Sequence, residues 1–104
     1  MSQSLQPGLA SLAGDSLTEL CRRYGVKELS VFGSAARGEM LPESDLDLMV
    51  EFEPDVRVGL IRFEYFVEEL DALAGRKVDL VTKGGLKPWV REHVFKDAVV
   101  VYAA

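Results

Sequence analysis

Residues 31–52 read VFGSAARGEMLPESDLDLMVEF, and the last eight of them decide the fold. Leu46, Leu48, Val50 and Phe52 alternate there with Asp45, Asp47, Met49 and Glu51. A period of two marks a strand with one buried face. The apolar set predicts the core side. The other set places two aspartates on the same side of a sheet, two rises or about 6.6 Å apart at their roots. At ~5 Å between carboxylates and an effective dielectric near 20, their repulsion is about 3 kcal/mol, a sizeable share of a marginal fold stability. A divalent cation turns that cost into binding. Hard ions such as Mg²⁺ take carboxylate oxygens together with water and substrate phosphates. Glu43 lies before the strand, in the connecting loop, and reads as solvated.

Upstream, Gly33 and Ser34 stand where the strand ELSVFG turns into an expected short helix over SAARG. Free backbone N–H groups, a hydroxyl and the positive end of the peptide dipoles can meet an anion at such a turn. Gly33 permits a close approach that a Cβ would obstruct. Arg37, about one turn on, can reach the same phosphates with a charge-assisted fork. Gly-Ser, ten residues and Asp-x-Asp together should arise by chance in a chain this long on the order of once in a thousand.

Working outward, DSLTELCRRYG predicts a first helix, with Ser16 and Glu19 at capping-box spacing and Gly25 as its stop. Cys21 falls on its buried stripe. GLIRFEYFVEELDALAG predicts a long amphipathic helix burying Leu60, Phe63, Phe66, Val67, Leu70, Leu73 and Ala74. Glu64, Glu68, Glu69 and Asp71 form its solvated face, and Gly75 ends it. KVDLV is a third strand, with Val78 and Leu80 on one face and Asp79 on the other. Asp79 therefore completes a three-carboxylate set able to hold two ions about 3.5–4 Å apart, the arrangement of in-line phosphoryl displacement. A helix after Pro88 and a last strand VVVY close the chain. The order predicts an α/β domain, a small mixed sheet of about four strands with helices packed on one face.

With 104 residues the chain has room for one domain, expected over residues 15–104 behind a loosely held tail at 1–14. Its net charge of −5 opposes broad attraction to nucleic acid or anionic membranes. A single cysteine excludes an internal disulfide and fits a reducing compartment, and no stretch reads as a signal peptide or a membrane span, so cytoplasm is expected. His93 reads as a surface or packing residue, and Trp89 as core or edge packing with a partner contact as the alternative. The scattered lysines and arginines make no nucleic-acid patch.

Gly33-Ser34, the spacing to Asp45-x-Asp47 within SDLDL, and RKVDLV downstream resemble the DNA polymerase β-like nucleotidyltransferase superfamily. The short length and GSAARGE resemble its minimal nucleotidyltransferase (MNT) branch, often found as antitoxins beside HEPN-domain toxins. The resemblance spans Leu17 to Tyr102. It implies the polymerase-β-like nucleotidyltransferase fold, with Gly33 and Ser34 holding the β- and γ-phosphates of ATP and Arg37 assisting. It also implies two Mg²⁺ ions on Asp45, Asp47 and Asp79, with Asp79 helping to deprotonate the attacking hydroxyl. The implied activity is AMPylation of a tyrosine on a HEPN ribonuclease toxin, within a complex of antitoxin and toxin or a homo-oligomer. A rival reading is an antitoxin that masks its toxin stoichiometrically, and a weaker one is nucleotidyl transfer to a small molecule.

Overall fold

The structure, a computed structural model, describes residues 14–39 and 41–104. The expected tail over residues 1–14 lies, except for Gly14, outside the described residues. Helix α1 spans Asp15–Tyr24 and strand β1 Val26–Phe32. Strand β2 covers Leu46–Phe52, helix α2 Leu60–Ala74 and strand β3 Val78–Thr82. Helix α3, Pro88–Asp97, and strand β4, Val99–Ala103, complete the chain.

The sheet order is β3-β2-β1-β4. β1 pairs antiparallel with β2 and with β4, while β2 and β3 run parallel. A parallel pair needs a long crossover, and α2 supplies it between β2 and β3. The sheet is thus mixed and four-stranded, as the element order predicts. Leu46, Leu48 and Val50 are all fully buried beside Leu29 and Val31 of β1. Leu17, Leu20 and Cys21 of α1 and Phe66 and Leu70 of α2 close over that face. Burial pushes the Cys21 thiol up to about 12, so it is a core residue rather than a nucleophile.

Local details depart from the sequence reading. α1 begins at Asp15 with Gly14 at the N-cap and no side-chain cap, so Ser16 lies inside the helix and its expected capping box with Glu19 does not form. Thr18 Oγ1 instead donates to the Gly14 carbonyl at 3.0 Å. Gly25 does end α1, at φ +71°, where a side chain would also strike Val56. Leu60, at the outer end of α2, is 77% exposed, since the buried stripe starts a turn later. Two members of the supposed solvated face have tertiary partners. Glu69 accepts from the Tyr24 hydroxyl at 2.6 Å and pairs with Arg23 at 3.1 Å, and Asp71 Oδ1 accepts the Val78 N–H at 2.7 Å. Trp89, expected to pack, is 67% exposed. Among the described residues no helix is long and apolar enough to cross a membrane.

Candidate active site

The β2–β3 register decides the site. Asp47 pairs with Asp79 across the two parallel strands, one step after Leu46 with Val78. Laterally paired residues point to the same side of a sheet, about 4.8 Å apart along the hydrogen-bonding direction. Both aspartates therefore leave the face opposite the Leu46–Leu48–Val50 core. Asp45 precedes β2 directly and is exposed, as is Asp79, whereas Asp47 is partly buried. Burial first, then the charges of Asp79 and Asp45, raise the Asp47 pKa above the ordinary aspartate range, with Arg37 opposing them. The carboxylates of Asp79 and Asp45 thus lie close enough to oppose the ionisation of Asp47.

Gly33 follows β1, whose last residue, Phe32, pairs with Asp47. At φ +73° the glycine is left-handed, and a Cβ there would lie 2.5 Å from Asp47 Oδ2. Any side chain would strain the backbone and displace the carboxylate. The glycine-serine turn is thus built directly against Asp47, although ten residues separate Ser34 from Asp45 in sequence.

The expected helix over SAARG is a turn stitched by hydrogen bonds and not a regular helix. The N–H groups of Ala36 and Arg37 donate to the Gly33 carbonyl at 3.1 and 3.2 Å, and Glu39 N–H donates to the Ser34 carbonyl at 2.8 Å. Ala35 is buried and anchors the turn in the core. Among the described residues, no backbone carbonyl outside the strands and helices accepts from the Ser34 or Ala35 N–H, which leaves these donors for an anion. Arg37 is exposed beside the turn, its Nε donating to Glu39 at 3.1 Å and its guanidinium 3.5 Å from Asp97 of α3. A phosphate at this turn would compete with those carboxylates for the same fork.

Several positioning residues have no motif to betray them. Arg76 donates to the carbonyls of Leu41 and Ser44 at 3.2 and 3.0 Å and holds the loop that delivers Asp45. Ser44 Oγ accepts the Leu41 N–H in the same loop. Asp97 steadies Arg37 from 60 residues away in sequence. Glu43 is exposed in the loop, as expected. His93 is exposed, but it lines a groove with Gly33 and Arg37.

Among the described residues no three His, Cys, Asp or Glu side chains are already gathered into a metal cage. Asp45, Asp47 and Asp79 are adjacent carboxylates rather than a formed site. Their chemistry nevertheless fits a hard divalent cation: all donors are oxygens, and the mutual charge that raises Asp47 is what a cation relieves. Such a site, next to a turn that can take phosphate, can transfer a phosphorus-containing group.

The family model described as nucleotidyltransferase domain matches residues 15–102. Protein adenylyltransferase MntA of Thermococcus cleftensis is 43% identical over 83 residues, covering 80% of this chain and 82% of the relative. A solved chain described as a minimal nucleotidyltransferase shares 40% identity at a TM-score of 0.70, over 81% of this chain and 84% of its own. A chain from the complex of a tri-AMPylated Shewanella oneidensis HEPN toxin with its MNT antitoxin superposes at a TM-score of 0.61. That match covers 86% of this chain and 68% of the other at 16% identity, a likeness of fold alone.

Proposed function

This chain belongs to the nucleotidyltransferase-domain family, and on that premise we propose that it is a Mg²⁺-dependent protein adenylyltransferase antitoxin, transferring AMP from ATP to a tyrosine of a cognate HEPN toxin. The observation that supports the reading is the Asp47–Asp79 register with Gly33 against Asp47, which brings the glycine-serine turn beside two aspartates. The cytoplasm is the compartment that suits ATP chemistry and a lone buried thiol.

The turn at Gly33 and Ser34 receives the β- and γ-phosphates through N–H groups and the Ser34 hydroxyl, and Arg37 exchanges its carboxylate partners for phosphate oxygens. Asp45, Asp47 and Asp79 would hold two Mg²⁺ ions, which would supply charge neutralisation for the attacking and leaving oxygens. Asp79 accepts the proton of the tyrosine hydroxyl. The tyrosine oxygen bonds to the α-phosphorus as the bond from that phosphorus to the bridging oxygen breaks, and pyrophosphate leaves. Arg76 and Ser44 keep Asp45 in place during this exchange.

One observation favours the rival reading of stoichiometric masking. α2 exposes Leu60, Ile61 and Tyr65 beside Glu64 and Glu68, an apolar and acidic surface of the kind that docks on a basic protein. Intact-mass measurement of the toxin after incubation with this chain, ATP and Mg²⁺ separates the two. Mass gain in AMP steps, lost in the double variant Asp45→Ala, Asp47→Ala, is the expected result. An unmodified toxin that regains activity once separated from this chain would overturn the enzymatic reading.

A further inference from the structure

The phosphate turn forms only one side of a groove. Gly33 and Arg37 border a cavity of about 510 Å³ whose other side is α3, through His93, Lys96 and Asp97. That volume lies within the range of small-molecule sites, roughly 300–1,000 Å³. The groove meets the carboxylate cluster at Gly33, the residue that abuts Asp47.

Charge assigns the roles within it. Asp97 is 3.5 Å from Arg37, so these two opposite charges offset each other. Among the described residues no ion pair involves Lys96. Among the lining residues Arg37 and Lys96 thus stand against one carboxylate, Asp97, with Glu39 pairing with Arg37 from outside the groove. A nucleoside triphosphate carries about four negative charges and must approach three aspartates, so cationic groups away from those aspartates are needed to hold its tail. α3 is only lightly packed: Val90, Arg91 and Val94 are half-buried and none of its residues is fully buried.

Building on the proposed nucleotidyl transfer, we infer that α3 supplies the second wall of the nucleotide site. Lys96 holds the β- and γ-phosphates from the side opposite Arg37, and His93 lines the same wall. Lys96 thereby also neutralises the departing pyrophosphate. No motif marks this lysine, which lies 62 residues after Ser34 in sequence, and only the return of α3 towards the end of β1 brings it there.

Equilibrium binding of ATP and of AMP to the full chain with Mg²⁺, measured by titration calorimetry, tests this directly. AMP lacks the phosphates that Lys96 is assigned. Lys96→Ala is expected to weaken ATP binding about tenfold, the worth of one hydrogen bond to a charged group, and to change AMP binding less than twofold. Lys96→Arg should restore most of the loss, and circular dichroism should show the same fold in all three proteins. ATP affinity within twofold of the parent in Lys96→Ala, or equal losses for ATP and AMP, would overturn the assignment while leaving the proposed function standing. A parent protein that binds neither nucleotide would remove both.

Discussion

Asp47 and Leu48 are neighbours in β2, yet they belong to different problems. Leu48 is fully buried under α1 and α2, where burial of such a side chain contributes about 1.5–3 kcal/mol. Asp47 faces the other way, towards Asp79, in a setting that opposes its own ionisation. One face of the sheet gathers groups that attract one another out of water, and at Asp47 and Asp79 the other brings like charges together. Stability and activity should therefore respond independently, and often in opposite directions, to substitutions one residue apart.

The sharpest break of that comparison is Asp47→Asn. AMP incorporation from labelled ATP should fall by about a thousandfold, as for loss of one carboxylate that would hold the ions neutralising the reacting phosphate. Metal-free stability should move the other way, up by about 0.5–1 kcal/mol, or a few degrees in thermal midpoint. The sign follows from the raised pKa. The folded state binds this proton more readily than the unfolded chain does, so the stabilising protonation is complete below the ordinary aspartate pKa and is lost as pH rises through the raised one. Denaturation of parent and variant at several pH values should show their gap widening towards neutrality and closing in acid.

Leu48→Ala tests the opposite face. It should lose about 2–5 kcal/mol by denaturant titration, with AMP transfer per folded molecule little changed. Gly33→Ala joins the two faces, because its left-handed backbone costs about 1–2 kcal/mol to any side chain while its Cβ displaces Asp47. A fall in AMP transfer larger than the stability loss explains is expected there. The smallest effect should come from Glu69→Gln, whose pairing with the exposed Arg23 is weakened by solvent screening and lies away from the aspartates. Thermal unfolding should detect it and transfer assays should not.

What was legible in the sequence follows the same division. Alternation in β2 assigns Leu46, Leu48 and Val50 to the core and Asp47 to the open face without reference to anything distant. The glycine-serine turn and KVDLV are equally local signals. The partners of Arg37, Arg76, Glu69 and Asp71 were hidden because each interaction spans elements whose relative placement depends on the β2–α2–β3 crossover and the return of β4 to β1. Glu69 and Asp71 look solvated on a helical wheel, which cannot register a tyrosine 45 residues away or a strand seven residues on. The Ser16–Glu19 spacing failed for a different reason: a helix can begin a residue earlier than its best capping pattern when a glycine takes the N-cap.

The bond from Val78 N–H to the Asp71 carboxylate has a mechanical meaning. It ties the last turn of α2 to the first residue of β3 and so acts as a stop that keeps the incoming strand from sliding along its neighbour. A slip of one residue would rotate Asp79 into the core and bring Leu80 to the side of Asp47. The phase of the Asp47–Asp79 pair is thus held by an aspartate that lies outside the carboxylate cluster.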